Sequence, residues 1–241
     1  MRYGIISDIH GNYDALEVVL KALDEEDKVD RIVCLGDVVG YGAMPRECVA
    51  ALRERDILTV AGNHDFAVIG RANINYFNSY AREATLWTRE VMTEEEKDWL
   101  RGLPLVEYVD DFTMVHGTLY RPELFDYIQT TYDAYLSLQI LENRVCFVGH
   151  SHVPISFFMG DMISYSLEPD ITLDDGMKAL VNVGSVGQPR DDNPKSAYAV
   201  YDSEQNQIWI RRKDYDIEQA GRRIIGAGLP EPLAERLKHG R

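Results

Sequence analysis

Tyr3-Gly4-Ile5-Ile6-Ser7-Asp8-Ile9-His10 opens the chain with a short apolar run that stops at an aspartate and a histidine. The run is continuous and partly β-branched instead of alternating, the pattern of a strand buried on both faces of a mixed or parallel sheet. The same arrangement returns four more times. Residues 32–35 stop at Gly36-Asp37, residues 57–60 at Gly62-Asn63-His64-Asp65, residues 112–115 at His116-Gly117, and residues 145–148 at Gly149-His150-Ser151-His152. Five of the six histidines fall in these motifs. Ligands of open α/β sheets bind beyond the carboxyl ends of the strands, so one crevice can collect side chains that are far apart in sequence. Gly36, Gly62, Gly117 and Gly149 let the backbone turn sharply beside that crevice.

Helical patterns separate the runs. Ala15, Leu16, Val19, Leu20 and Leu23 recur at helical spacing behind Asn12, a candidate N-cap. Pro45 begins a second helix, where its missing N–H is no loss. Residues 66–103 read as a mostly helical insert whose last helix starts at the capping box of Thr93 and Glu96. After Pro154 the texture changes to short strands, the best at residues 181–183, 197–201 and 208–210, with Asp174-Asp175-Gly176 and Glu204-Gln205-Asn206 as hairpin loops. The tail is helical, with Ile217, Ala220 and Ile224 on one face, and Gly228-Leu229-Pro230 breaks it before a last short helix. Repeats, low-complexity tracts and linkers are absent from the sequence. The expectation is one α/β domain over residues 1–241, two packed sheets with helices outside.

Composition narrows the function. With 241 residues, 45% of them hydrophobic, the chain can bury a large core. A formal charge of −15 argues against a protein that wraps nucleic acid, because that binding is driven by cationic side chains. A small phosphorylated substrate remains compatible, since bound cations reverse the field inside a site. Cys34, Cys48 and Cys146 are odd in number and widely spaced, as reduced core residues of a cytoplasmic protein would be. The first apolar run is too short for a signal peptide, and no stretch is long enough to span a membrane.

The ligand types point to metal chemistry. Any one of these histidines alone reads as structural, and Asp-x-His is a weak signal; all five motifs, each after a strand, are hard to assemble by accident. Imidazole and carboxylate without cysteine suit a pair of divalent cations (Mn, Fe, Ni or Zn) and argue against a structural zinc site. A carboxylate such as Asp37 can bridge two cations, and a pair roughly 3.5–4 Å apart clamps a phosphoryl group. The set reads as a two-metal hydrolase, and His239, in a polar tail, as an exposed residue outside it.

The order D-x-H, G-D, G-N-H-D, H-G and G-H-S-H resembles the calcineurin-like metallophosphoesterase superfamily from Asp8 to His152. Gly36-Asp37-Val38-Val39-Gly40-Tyr41-Gly42 and the segment Val181-Asn182-Val183-Gly184-Ser185-Val186-Gly187-Gln188-Pro189-Arg190 are similar to its small bacterial and archaeal phosphodiesterase branch. Val39-Gly40-Tyr41 departs from the G-D-x-V-D-R-G of serine/threonine protein phosphatases and lacks its arginine. G-N-H-D for G-N-H-E is a milder departure. The resemblance implies a four-layer αββα sandwich of two mixed sheets. It implies Asp8, His10 and His152 on a first metal, Asn63, His116 and His150 on a second, and Asp37 bridging both. His64 would stand beside the leaving group without ligating, with Asp65 as its orienting partner. A hydroxide bridging the metals would attack phosphorus in line with the leaving oxygen.

Around that centre the residues admit two readings each. Asn12 is an N-cap or a support of the metal site. Tyr41 stacks on a substrate base or packs in its loop. Arg190 clamps a phosphate or pairs with Asp191 or Asp192. Tyr76, Phe77, Tyr80, Trp87 and Trp99 of the insert are core, or one wall of the substrate pocket. A phosphodiester or nucleotide-type substrate is favoured, dinucleoside polyphosphates among them, because related enzymes hydrolyse them. The rival readings are a phosphomonoesterase, including a protein phosphatase, and a non-catalytic binding scaffold. The presence of every ligand and of His64 separates the chain from the scaffold.

Overall fold

A computed structural model describes residues 1–109 and 111–241. Among the described residues the strands form two six-stranded sheets. The first runs, in spatial order, β3 (Leu58–Thr59), β2 (Arg31–Cys34), β1 (Arg2–Ile6), β11 (Ser196–Asp202), β12 (Gln207–Lys213) and β9 (Asp170–Thr172). The second runs β4 (Val106–Val109), β5 (Phe112–Val115), β6 (Val145–Val148), β10 (Lys178–Asn182), β7 (Ile155–Met159) and β8 (Ile163–Ser166). Strands β1, β2 and β3 are parallel to one another, as are β5, β6 and β10. The remaining pairings are antiparallel, so both sheets are mixed.

The continuous apolar runs follow from burial on both faces. Ile5 and Val33 point between the sheets, where they meet Phe112, Phe147, Val181 and Tyr201. Their neighbours Ile6 and Cys34 point the other way, against Leu16 and Val19 of α1 (Tyr13–Ala22) and Leu52 of α2 (Pro45–Glu54). Across the sandwich, Val145 and Phe147 face inward, whereas Cys146 and Val148 face Ala134 and Leu138 of α6 (Thr131–Ile140). Each fully buried aliphatic or aromatic side chain contributes about 1.5–3 kcal/mol. The layers are therefore helix, sheet, sheet, helix, the αββα order expected. All three cysteines are buried and free. No helix among the described residues is long and apolar enough to cross a membrane.

Residues 66–103 are largely helical. They comprise the end of α3 (Asn63–Val68), a 3-10 turn at Ile74–Tyr76, α4 (Ser79–Val91) and α5 (Glu94–Arg101), the last opened by the Thr93–Glu96 capping box. Ala81 and Ala84 of α4 join a separate apolar cluster. Its other members are Tyr41, Ala220 and Ile224 of α7 (Ile217–Gly226), Leu233 of α8 (Glu231–Glu235), and Leu237. The tail thereby docks on the insert beside Tyr41. One turn is corrected. Glu204-Gln205-Asn206 does close the β11–β12 hairpin, but Asp174-Asp175-Gly176 joins β9 of the first sheet to β10 of the second. A local turn signal marks the bend and carries no information on which sheet the flanking strands join.

Close backbone approach generates the first prediction. The loop after β10 lies on the loop after β1 through the Gly187 N–H bond to the Asp8 carbonyl at 3.0 Å. A Cβ on Gly187 would sit 1.8 Å from the Ile9 carbonyl oxygen, whereas one on Gly226 of α7 would meet nothing within 4 Å. Gly187→Ala should cost about 1–3 kcal/mol and lower the melting temperature by several degrees. Gly226→Ala should leave it unchanged or raise it. Equal melting temperatures for the two variants would contradict this account of the loop.

Candidate metal centre

Loops leaving the carboxyl ends of β1, β2, β5, β6 and β10 are tied to one another by main-chain bonds, and the loop after β3 joins them through the side chains of Asp37 and Asp65. Asp8 N–H donates to the Gly36 carbonyl at 3.0 Å, His10 N–H to that of Asp37 at 2.9 Å, and Gly149 N–H to that of His116 at 2.8 Å. Ser185, in the loop after β10, donates its hydroxyl to the Asp8 carbonyl at 2.8 Å. Within this mesh several ligand-bearing residues adopt the left-handed backbone region that disfavours side chains. These are Asp8 (φ 52°), His10 (51°), Asp37 (50°), His150 (68°) and His152 (61°). Each costs about 1 kcal/mol or more. Glycine would take these turns without strain, but it would supply no ligand atom.

The side chains converge in two groups, Asp8 with His10 and His152, and Asp37 with His116 and His150, each with its ligand atoms within 4.8 Å of one another. All six residues are buried. Asp37 Oδ2 lies 3.3 Å from His116 Nε2 in its own group and 3.6 Å from His10 Nε2 in the other, the placement a bridging carboxylate needs. Each of the two carboxylates has one oxygen anchored and one left free. Asp8 Oδ2 accepts from the Ser7 hydroxyl at 2.7 Å and from His150 N–H at 3.0 Å. Asp37 Oδ1 accepts from His64 N–H at 2.8 Å. The other oxygens, Asp8 Oδ1 and Asp37 Oδ2, are buried without a hydrogen-bond partner, and so is Asn63 Oδ1.

Apart from His150, whose Nδ1 faces His116 Nε2 at 3.2 Å, the imidazoles repeat the pattern. Their Nδ1 atoms bond to carbonyls: His10 to Val39 at 3.2 Å, His116 to Leu35 at 2.8 Å, His152 to Gln188 at 2.6 Å. A carbonyl only accepts, so Nδ1 carries the proton and a neutral ring presents a lone pair at Nε2. His10 Nε2 and His152 Nε2 then face each other at 3.1 Å. Two lone pairs at that separation, beside carboxylate oxygens with no hydrogen-bond partner, form an arrangement that a bound cation would satisfy. The residues present fit two divalent ions.

Charge in the metal-free protein supports the same fit. Burial pushes the pKa of His64 down to about 4 and that of His150 down to about 3. Burial also opposes the charge on His116, but Asp37 and Asp8 outweigh it and carry this pKa up to about 9. Burial works against the Asp37 carboxylate as well, and His116 and His64 outweigh that and hold it well below the usual range. Without metal, a proton on His116 is the cation of the site.

His64 stands beside the two groups. Its ring lies 5.0 Å from that of His10, 4.5 Å from that of Tyr41 and 4.8 Å from that of Phe77 in the insert. Its Nδ1 is buried against Gly40 and has no hydrogen-bond partner. Asp65 is therefore corrected: it does not orient the His64 ring. Its carboxylate accepts from the N–H groups of Val38 at 3.0 Å, Val39 at 3.2 Å and Gly62 at 2.9 Å, which fixes the loop after Asp37.

The peripheral residues resolve as well. Asn12 caps α1 by accepting from Ala15 N–H at 3.2 Å and donates to the Gly187 carbonyl at 2.9 Å, so it braces loops. Tyr41 packs in its loop, 6% exposed and enclosed by His10, His64 and two guanidiniums, with no face open to a base. The carboxylates offered to Arg190 are taken, Asp191 by Arg212 and Asp192 by Arg241. Arg190 donates instead to Gln188 Oε1 at 2.8 Å. Of the insert aromatics Phe77 reaches His64, Trp87 and Trp99 pack into apolar clusters, and Tyr76 and Tyr80 are exposed. His239 is exposed. Sequence reasoning missed Tyr127, whose half-exposed ring stacks on His150 at 3.9 Å and 12°. It also missed Arg236. Neither sits in a motif, and no periodic signal marks either.

Comparison with known proteins agrees with this geometry. The family model of the calcineurin-like phosphoesterase superfamily domain matches residues 1–206. The chain is 40% identical to the uncharacterized protein MJ0912 of Methanocaldococcus jannaschii, over 98% of this chain and 97% of that one. The crystal structure of a metallophosphoesterase from Sphaerobacter thermophilus superposes with a TM-score of 0.86 at 36% identity, covering 100% of this chain and 99% of the other. A symmetrical bis(5'-nucleosyl)-tetraphosphatase from Haemophilus influenzae is 28% identical over 46% of this chain, which spans 42% of that enzyme's length. The chain belongs to the calcineurin-like phosphoesterase superfamily.

The opposed histidine shifts set the pH dependence of the metal-free protein. His64 and His150 titrate near 6.5 when unfolded and far lower when folded, so stability is lost as pH falls from about 6.5 towards 4. His116 works the other way: its contribution is complete below about 6.5 and is lost as pH rises through 9. The metal-free melting temperature should therefore peak near neutrality and fall on both sides. Saturating divalent metal should abolish the alkaline decline, because His116 must shed its proton to ligate. Calorimetric scans of chelated and metal-loaded protein from pH 4 to 9 test this, and a flat metal-free profile would contradict it.

Proposed function

We propose that this calcineurin-like phosphoesterase hydrolyses a phosphodiester or nucleotide-type substrate at a two-metal site held by Asp8, His10 and His152 on one side and by Asn63, His116 and His150 on the other, with Asp37 between. The observation that carries the reading is the pair of ligand groups with their unbonded oxygens and opposed Nε2 atoms, set beside a histidine that makes no contact of that kind. Two divalent cations supply, when bound, a nucleophile at neutral pH and neutralisation of the phosphoryl oxygens.

The chain's own residues do the rest. Asp8 and Asp37 are locked by main-chain N–H groups, so the free oxygens keep their positions through turnover. His64 is fixed by its N–H bond to Asp37 and by rings on three sides. Its Nδ1 is turned into the protein against Gly40, which leaves Nε2 to face the leaving oxygen and to hold the proton that oxygen takes up. A diester is favoured because the loop after Asp37 presents Val39-Gly40-Tyr41, with an aromatic ring against His64 where protein phosphatases carry an arginine. The likeness to the bis(5'-nucleosyl)-tetraphosphatase supports a nucleotide-type substrate.

Metal-free protein refilled with Mn, Fe, Ni or Zn should cleave bis-p-nitrophenyl phosphate with a kcat/KM at least comparable to that for p-nitrophenyl phosphate. A large preference for the monoester, extending to phosphopeptides, would move the assignment to a phosphomonoesterase. Absence of metal-dependent turnover on any ester would move it to a binding scaffold.

His64→Ala separates binding from chemistry. The variant should keep both metals yet lose about 10²–10⁴-fold on a nucleoside diester, whose leaving alkoxide needs a proton. The loss should be smaller on the nitrophenyl diester, because nitrophenolate leaves without one. Loss of metal from this variant would overturn the role given to His64.

A further inference from the structure

Two guanidiniums lie against one buried ring beside the candidate metal centre. Arg190 Cζ lies 5.7 Å from the centre of the Tyr41 ring and Arg236 Cζ lies 5.9 Å from it. The same ring is 4.5 Å from His64 and 4.7 Å from His10. Arg190 arrives on the loop after β10, and Arg236 on the 3-10 turn Arg236–His239 that follows α8. The fold thus brings two cations from separate segments to one side of the site.

Among the described residues Arg190 has no carboxylate partner, and Arg236 has no aspartate or glutamate partner. Arg190 donates to Gln188 Oε1, and its Nε is buried with no partner at all. Arg236 donates its Nε–H to the terminal main-chain oxygen of Arg241. This happens in a chain of formal charge −15, where Asp191 and Asp192, next to Arg190 in sequence, pair with Arg212 and Arg241. The two like charges are felt: burial first, and then Arg190, lower the pKa of Arg236 to about 10. Attraction to the ring offsets part of this repulsion. An anion between the guanidiniums would offset far more, and would give the orphaned Arg190 Nε a partner.

We propose that Arg190 and Arg236 form an anion subsite for a second phosphoryl group of the substrate, on the leaving-group side of His64. The inference rests on the phosphoesterase reading and narrows it to substrates in which a further phosphate follows the one that is cleaved, the chemistry of a nucleoside oligophosphate. His64 meets the leaving oxygen, and Tyr41 links His64 to both guanidiniums. The phosphate they hold therefore departs with the leaving group. A plain diester leaves the subsite empty.

The test compares ligands that differ by one phosphoryl group. Metal-loaded wild-type protein, titrated calorimetrically at fixed free metal, should bind methylenebisphosphonate more tightly than methylphosphonate. Arg190→Gln and Arg236→Gln should each reduce that preference on the order of tenfold to a hundredfold, the worth of a hydrogen bond to a charged group. Arg236→Lys, which keeps the charge without the fork, should fall between. In turnover, the loss on a dinucleoside tetraphosphate should exceed the loss on bis-p-nitrophenyl phosphate by at least tenfold. Equal losses on the two esters would mean that the arginines only pack Tyr41 in place, and would overturn the subsite. So would a wild type without preference for the bisphosphonate, or equal losses on p-nitrophenyl phosphate and the tetraphosphate, which would put the pair on the scissile phosphate. If wild type cleaves no ester, the phosphoesterase reading falls, and the phosphonate comparison still decides whether the subsite exists.

Discussion

Asp8 and Asp37 lie buried at one end of the sandwich, each with an oxygen that no donor reaches, and the rest of the architecture answers to that pair. Burying an ionised carboxylate costs several kcal/mol even after relaxation. Two of them, close enough to share His116, cannot be left to repel each other. In the metal-free protein a proton on His116 supplies the counter-charge. In the loaded protein two cations would supply more of it. Without either, the centre would be the least stable part of the molecule. The loops that carry it are accordingly bound to one another by main-chain hydrogen bonds before any metal arrives.

Those bonds also explain how strained residues persist. Five ligand-bearing residues hold left-handed backbone angles, and together they cost several kcal/mol. The strain is tolerable because each turn is fixed from two sides: a parallel strand feeds it, and a neighbouring loop receives its N–H or carbonyl. The anchored atoms of Asp8, Asp37, His10, His116 and His152 are then set by the fold, and their free atoms are left for a metal. Such preorganisation means that binding need not reorder the loops.

The metal centre was legible because its chemistry forces residue types. A strand that must be buried on both faces reads as a continuous apolar run, and the candidate ligands follow such runs, so Asp8, His10, Asp37, Asn63, His116, His150 and His152 announce themselves by position, with His64 beside them. The layer order followed from the same runs. What failed was partnership. Asp65 sits next to His64 in sequence, yet its carboxylate is consumed by three N–H groups of neighbouring loops. Arg190 sits next to two aspartates that turn to other arginines. The turn at Asp174-Asp175-Gly176 was visible, but the sheet beyond it was not. Adjacency in sequence says little about which way a side chain points once a loop enters a crowded end of a sandwich. Tyr127 and Arg236 lie in segments without motif or period, and only the tertiary packing delivers them.

The candidate metal ligands and the proposed phosphate subsite also divide along the chain. The family model ends at residue 206, and every candidate metal ligand lies before that point. Arg236 lies after it. Tyr41 is where the two parts meet: its loop follows the bridging aspartate, and its ring packs in one cluster with the insert helix and the tail helices. The insert also sends Phe77 against His64. Insert and tail are thus mechanically one flank of the site, built on an apolar cluster of their own and separate from the core between the sheets. Such a flank can change its polar lining without disturbing the strand ends that hold the ligands. That separation would let one scaffold of this kind serve different phosphorylated substrates.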